Sequence, residues 1–282
     1  MKNNRVKILL ICLMFFVLLP KDSLLRNENA EGILYKMIRS INKLETYTLV
    51  LNSKERKADK TFTKGNTLLK LRKHPKALYL KMLDEGQEIL WNEGDKTVLV
   101  NPNGFPFINL KLDPFGSPLL DKQHHTIFDA GFDYFNSIVQ KEISMYPSTV
   151  NSRISNLGNV VCDGIDCYLI AFETNDFKKY NYIATQNETT FSLSKRMNIN
   201  EWLIRNNNKM KSFDIIKGKS YLLTSHYAKK LILYINRNTM LPILISIYDD
   251  VGLLEEYAYK KTSLNPAFAA NEFCDDFKDY GF

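Results

Sequence analysis

Apolar residues change their spacing several times along this chain, and each change marks a different kind of element. Ile33, Leu34, Met37, Ile38, Ile41 and Leu44 recur every three or four positions. That spacing predicts an amphipathic helix with Asn27 or Asn29 as its cap. From Tyr47 the period drops to two, and strands are predicted over 46–57, 61–72, 77–83, 88–92 and 97–101. Polar, glycine-containing turns separate them at 64–66, 84–86 and 92–95. Spacing this regular favours an antiparallel meander over alternating βαβ units. Pro102, Pro106, Pro114 and Pro118 then interrupt an apolar stretch. It reads as a loop or flap whose Phe105, Phe107, Ile108 and Leu110 pack against the sheet. Helical spacing returns in Ile127, Phe128, Phe132, Phe135, Ile138 and Val139, with Gly131 where a neighbour packs closely. Strands resume at 152–162 and 167–174, and three more close the chain at 228–236, 241–248 and 253–261.

Between those last groups the pattern is different. A β-branched strand at 183–185 leads into a polar turn, and Thr189 sits where a helix N-cap belongs. Leu193 and Met197 mark one short helix, and Asn200 caps a second that carries Trp202 and Leu203. An asparagine-rich loop and Gly218 precede a closing strand at 221–223. Removing residues 179–226 would bring 168–172 next to 231–235 as a plausible hairpin. The stretch therefore reads as a guest inserted at a loop tip, its own end strands paired.

Composition adds compartment. The chain has 282 residues, 45% of them hydrophobic, enough for a sizeable core. A net charge of +7 is spread along the sequence, and no basic arm suggests nucleic acid. Lys2, Arg5 and Lys7 precede an apolar run from Ile8 to Leu19. Twelve helical residues span roughly 18 Å against a hydrocarbon core of about 30 Å, so residues 1–30 read as a signal peptide or N-terminal anchor. Ala30 is one candidate cleavage position. Cys12 lies inside the apolar run and does not read as a lipidation site. An exported chain meets an oxidising compartment, so Cys162 and Cys167, bracketing a hairpin loop, are expected to form a disulfide; two free thiols are the alternative. Cys274 is expected to be buried.

Two resemblances follow from longer matches. Residues 182–223 resemble a LysM carbohydrate-binding module in the turn NETT (187–190), the helix start SLSK (192–195), the loop NNN (206–208) and IIKG (215–218). Asn187 stands where that module usually has glycine, and asparagine tolerates the left-handed backbone such a turn needs. The resemblance implies binding of peptidoglycan or another N-acetylated glycan by Asn187, Glu188, Thr189, Thr190 and Phe191 on one side and Asn207, Asp214, Ile215 and Ile216 on the other. Residues 180–226 hold seven Lys or Arg against three acids, a net +4 suited to an anionic wall polymer. The remainder resembles a bacterial envelope family known only as a domain of unknown function, DUF1571. The likeness lies in KALYLKML (76–83), GQEILW (86–91), LDPFG (112–116), HTI (125–127), LNPAF (264–268) and NEF (271–273). It implies an α+β fold: a curved antiparallel sheet like a half-open barrel, of the lipoprotein-carrier kind, with helices in its concavity and a lipid, acylated chain or hydrophobic peptide as ligand. The expected division is 31–179 and 227–282 as host and 180–226 as guest.

Catalytic chemistry has little support. No nucleophile elbow, zinc-protease motif or phosphate loop is present. His125, Asp129 and Asp133 would share one helical face, yet acids at a helix start are favourable without any metal, and neither metal nor cofactor is expected. The sequence thus predicts a non-enzymatic envelope protein tethered to peptidoglycan. A structural, interaction or sensor protein whose guest makes protein contacts is the alternative, and a hydrolase using His125 and Asp129 the weakest.

Overall fold

A computed structural model describes residues 29–121, 123–147 and 150–282. The predicted signal or anchor and Cys12 fall outside the described residues. Helix α1 (Ala30–Asn42) starts at Asn29, whose side chain accepts from the Glu31 amide. A meander follows: β1 (Thr46–Arg56), β2 (Phe62–Arg72), β3 (Ala77–Met82), β4 (Glu88–Asn92), β5 (Val98–Asn101) and β6 (Leu110–Leu112). Then come α2 (Ser117–Leu120), α3 (Phe132–Met145), α4 (Val150–Arg153), β7 (Ile154–Cys162) and β8 (Ile165–Glu173). The guest region carries β9 (Lys179–Ile183), β10 (Glu188–Thr189), α5 (Thr190–Met197), α6 (Glu201–Asn207), β11 (Asp214–Ile215) and β12 (Ser220–Thr224). The chain ends with β13 (Lys230–Asn236), β14 (Pro242–Tyr248), β15 (Leu253–Leu264) and an aromatic tail.

Eleven strands form one antiparallel sheet in the order β6-β5-β4-β3-β2-β1-β15-β14-β13-β8-β7. The fold is α+β with a large open sheet. β8 pairs directly with β13, Phe172 opposite Leu231 and Tyr168 opposite Ile235. Between them β9 and β12 pair with each other, Tyr182 opposite Tyr221. Thr189 and Asn200 cap α5 and α6 through the Ser192 and Leu203 amides. Ala184, Leu193, Ile199, Ile204, Ile215, Tyr221 and Leu223 close a small core of the guest's own.

Strand alternation divides the sheet into two faces. On the inner face Leu49, Leu69, Leu71, Leu78, Leu80 and Ile89 meet α1 and α3 in the main core. The tail covers the outer face, where Phe273 packs with Ala77, Tyr79 and Leu90.

Three expectations are corrected here. The predicted flap is partly a strand, since Leu110–Leu112 extends the sheet beside β5, and Phe105, Phe107 and Ile108 face solvent instead of packing on the sheet. The predicted helix from residue 127 breaks at Gly131, whose φ of 90° is open to glycine. A Cβ there would also lie 2.4 Å from the Tyr47 hydroxyl. The third concerns the cysteines: Cys162, Cys167 and Cys274 are free thiols. Cys162 opposes Ile165 and Cys167 opposes Val160, so the two thiols are diagonal neighbours. Diagonal positions lie about 7–8 Å apart, beyond the roughly 4.4–6.8 Å Cα span of a bridge. Burial pushes the Cys167 thiol up to about 11. Cys274 is exposed.

Candidate functional site

Inner-face positions near one end of β1 and β2 are short: Ser53, Thr63, Gly65 and Thr67. Among the described residues the space above them is left as a cavity of about 300 Å³. Leu51, Leu69, Leu80, Met82 and Ile89 form its sheet wall, while Leu119, Ile127, Phe135 and Ile138 come from the opposite layer. Exposed Asp84 and Glu85 border it, so it opens toward the β3–β4 turn.

Its polar end is built on Glu255, which is fully buried on β15. A carboxylate there is tolerated because donors surround it. His124 Nδ1 lies 2.8 Å away, Asn200 Nδ2 donates at 2.7 Å and the Tyr227 hydroxyl at 3.3 Å. His125 Nε2 is 3.2 Å from the second oxygen. Burial alone would raise the Glu255 pKa, but the two imidazoles outweigh it and hold the carboxyl well below its usual range. Burial likewise opposes charge on His125; Glu255, with help from Glu55 and Asp129, overcomes it and raises that pKa to about 9. His124 Nε2 faces the Arg56 carbonyl at 2.8 Å. Both ring nitrogens of His124 are therefore engaged, one by Glu255 and one by the Arg56 carbonyl. Tyr257 donates to Glu55 at 2.8 Å, and Arg56 pairs with buried Asp249. The hollow thus has a mixed lining, apolar at Leu51, Leu69, Leu80 and Ile138 and polar at Asn66, Thr67 and Gln87, with a charged end beside His125 and Glu55.

The same network holds the guest. Asn198 and Asn200 flank Ile199 in the turn between α5 and α6, and each donates its amide to a buried host carboxylate. Asn200 reaches Glu255, and Asn198 reaches Glu142 on α3 at 3.2 Å. Glu142 also meets His226 Nδ1 at 2.9 Å and Arg153 at 3.2 Å. Trp202 stacks on His124 with centroids 4.2 Å apart. Arg205 donates to the Gln123 carbonyl at 2.9 Å, and Phe191 meets Phe115 at 5.5 Å.

The residues assigned to glycan binding divide by environment. Asn187 accepts from the Lys217 amide at 2.9 Å. Glu188 and Thr189 pair with Ile215 and Asp214, bringing 187–190 beside 214–216. The Glu188 carboxylate is taken by Arg196 at 2.5 Å and Ser192 at 3.1 Å. Thr190 is fully buried, bonded to Glu201 at 2.5 Å, and Ile215 belongs to the guest core; neither side chain is open to a ligand. Phe191 is half-buried against Phe115 and Phe213. The Asn207 amide nitrogen is buried without a hydrogen-bond partner. Asp214 and Ile216 are exposed.

His125, Asp129 and Asp133 do not share a face, because the helix breaks between them. Asp129 accepts from the Thr126 amide and hydroxyl, while Asp133 takes the Tyr47 hydroxyl at 2.9 Å and Lys73 at 2.6 Å. Among the described residues no His, Cys, Asp and Glu cluster is arranged to hold a metal. Glu255 is absent from the sequence reading although its signal was present. It shares alternation parity with Tyr257 and Tyr259, both on the inner face.

A family model described as "Protein of unknown function (DUF1571)" matches residues 44–201, more than half of the chain. No curated protein matches. Among solved structures, a chain of the Pseudomonas aeruginosa MucA/MucB complex is similar at 12% identity and a TM-score of 0.41, covering 86% of this chain and 60% of that one. The Mycobacterium tuberculosis lipoprotein LppX matches at 11% identity and 0.40, covering 85% and 98%. LprF from Mycobacterium bovis matches at 9% and 0.42, covering 86% and 97%. The chain spans 58% to 62% of the length of the MucB-related chains it matches. All these scores lie below 0.5, a loose likeness of architecture that transfers no ligand.

Proposed function

The chain belongs to the DUF1571 family, whose description assigns no activity, and we propose that it is a non-enzymatic cell-envelope protein holding a hydrophobic ligand or partner on the inner face of its sheet. The cavity of about 300 Å³ carries this reading. It stands at the lower end of the roughly 300–1,000 Å³ typical of ligand pockets. Protein interiors are otherwise close-packed, so a hollow walled by Leu51, Leu69, Leu80 and Ile138 is a space kept open. The basic, then apolar, N-terminal segment supports export to the periplasm or envelope. No helix among the described residues is long and apolar enough to cross a membrane. Solvent extraction and mass spectrometry of the purified full chain should find about one lipid or acylated molecule per protein. A chain purified from its native envelope and free of any such molecule would sink this reading.

The guest's role in this reading is that of a LysM-like tether to peptidoglycan or another N-acetylated glycan. Its two short helices, enclosed by the paired end strands β9 and β12, and its net charge of +4 support that. Deleting it would strip partners from Glu142 and Glu255, so the exposed pair Asp214→Ala/Ile216→Ala is the appropriate test. Wild type should sediment with purified peptidoglycan and this variant should stay in solution. A second reading makes the guest a structural bracket or a contact site for another protein. The docking of Asn198, Asn200 and Trp202 on the host favours it, and it stands if wild type ignores peptidoglycan.

A further inference from the structure

Residues 103–110 read NGFPFINL and carry no charge. Phe105 is 87% and Phe107 82% exposed, the two most exposed large apolar side chains among the described residues, and Ile108 adds 63%. Single exposed apolar residues are ordinary; three within four positions at a loop tip mark an interaction site. The two rings lean on each other at 6.3 Å. The loop is also held in shape. Asn103 accepts no role in the cavity, but its side chain donates to the Glu85 carbonyl at 2.9 Å and its amide to Asn101 at 2.9 Å. Gly86 makes room for it, since a Cβ there would lie 2.3 Å from the Asn103 amide nitrogen. Phe107 adopts φ 59°, a left-handed conformation rare for a bulky residue and sustained only where the surroundings impose it. The anchor point matters, because Asp84 and Glu85 border the open side of the cavity.

We propose that residues 104–108 form a finger that enters the surface of a lipid bilayer and sets the cavity mouth against it. A lipid or acyl chain would then pass between bilayer and cavity without crossing water. The passage rests on the hydrophobic-ligand reading above; the membrane contact does not. Three observations favour a bilayer as the occupant. A protein partner would be met by a polar rim with directed hydrogen bonds, and 104–108 offers no polar side chain. The exposed rings and Ile108 are suited to the boundary between headgroups and acyl chains. The N-terminal segment addresses the chain to an envelope, where a bilayer is within reach.

Flotation of the full chain with phosphatidylethanolamine/phosphatidylglycerol vesicles tests this. Wild type should float with the vesicles, and Phe105→Ser/Phe107→Ser/Ile108→Ser should partition about tenfold less or weaker still, having lost the apolar area that enters the bilayer. Because the finger is uncharged, wild-type partitioning should hold from roughly 0.1 to 0.5 M salt. Absence of flotation, equal flotation of the variant, or loss of flotation with salt would each overturn the proposal. So would self-association of wild type, without flotation, that the same substitutions abolish, since the finger would then belong to a second copy. Extraction separates the two ideas. The variant, loaded with phosphatidylethanolamine from detergent micelles, should carry as much of that lipid as wild type loaded the same way. Empty cavities in both would remove the cavity reading and leave the vesicle result standing.

Discussion

The two faces of β2, β3 and β4 are built from the same strands and end in opposite conditions. On the outer face the chain closes over itself. Tyr280 stacks on Tyr79 at 3.7 Å, and Lys70 lies over the rings of Tyr79, Phe277 and Tyr280 while pairing with Glu272 at 2.5 Å. Asn92 and Asn101 fasten the tail further through the Phe273 and Gly281 carbonyls. On the inner face the register partners Leu69 and Leu80 look into a hollow instead. Residues 268–282 seal one face with aromatic rings, so the fold has the means to fill space. That the other face stays open points to a requirement for volume there. The faces differ in what holds them as well: rings and one caged lysine outside, a carboxylate ringed by two imidazoles, an amide and a phenol at the inner end.

Breaking each support should show that difference. Glu255→Ala leaves His124 and His125 buried without their carboxylate and removes the acceptor that Asn200 and Tyr227 share. Removing one member of a buried ionic cluster costs about 3–5 kcal/mol, the largest effect expected, read as the shift of a denaturant midpoint. A loss below about 1 kcal/mol, the range of exposed pairs, would mean the cluster is hydrated. Phe273→Ala on the outer face removes one ring from the tail's seal, and a buried Phe→Ala costs about 3 kcal/mol. Its ligand content should be unchanged, since the ring is on the far side of the sheet from the cavity.

Titration separates the faces next. His125 is raised from 6.5 to about 9, so its contribution is fully present below pH 6.5 and lost as pH rises through 9. Glu255 is held below its ordinary 4.5, so its contribution is present above pH 4.5 and lost as pH falls through its lowered folded value. The pair should be at full strength between pH 4.5 and 6.5, with an alkaline decline of about 3 kcal/mol once His125 has lost its proton. In His125→Gln that alkaline limb should flatten when midpoints are followed from pH 6 to 10. An identical limb in the variant would assign the decline to other groups.

Much of the host was legible because alternation records burial directly. β4 runs over Glu88–Asn92, matching the strand expected at 88–92. The apolar spacing of α1 and the caps Asn29, Thr189 and Asn200 were readable for the same local reason. Long-range choices were not. Gly131 signals close packing in the sequence, but only the Tyr47 hydroxyl beside it explains why the backbone turns to positive φ and ends a helix that periodicity alone would continue. β6 hides among prolines, with three residues too few to show a period. The tail's rings at 273, 277 and 280 follow no strand repeat, so their target on the outer face was invisible. The cysteine pair misled because bracketing a hairpin loop says nothing of register, and register set them diagonal. At the candidate site His124 and His125 were visible as a pair, whereas Glu255 requires counting alternation from Tyr257 and Tyr259.

The smallest expected effect is the most discriminating. Thr67 faces the cavity and Ala77 lies under Phe273 on the outer face. Substituting Phe at each adds similar bulk to two positions of one β-hairpin. Ala77→Phe should overpack and cost about 1–3 kcal/mol while leaving bound lipid in place. Thr67→Phe enters empty space, so stability should change by less than about 1 kcal/mol, with new ring contacts offsetting the lost hydroxyl. Its lipid content should fall sharply, as measured by extraction alongside thermal unfolding. If Thr67→Phe proved as costly as Ala77→Phe, the inner face would be as tightly packed as the outer and the contrast between them would disappear. If instead it stabilised the chain and emptied it, the hollow would be shown to exist at the expense of stability, as expected of a site kept open for a ligand.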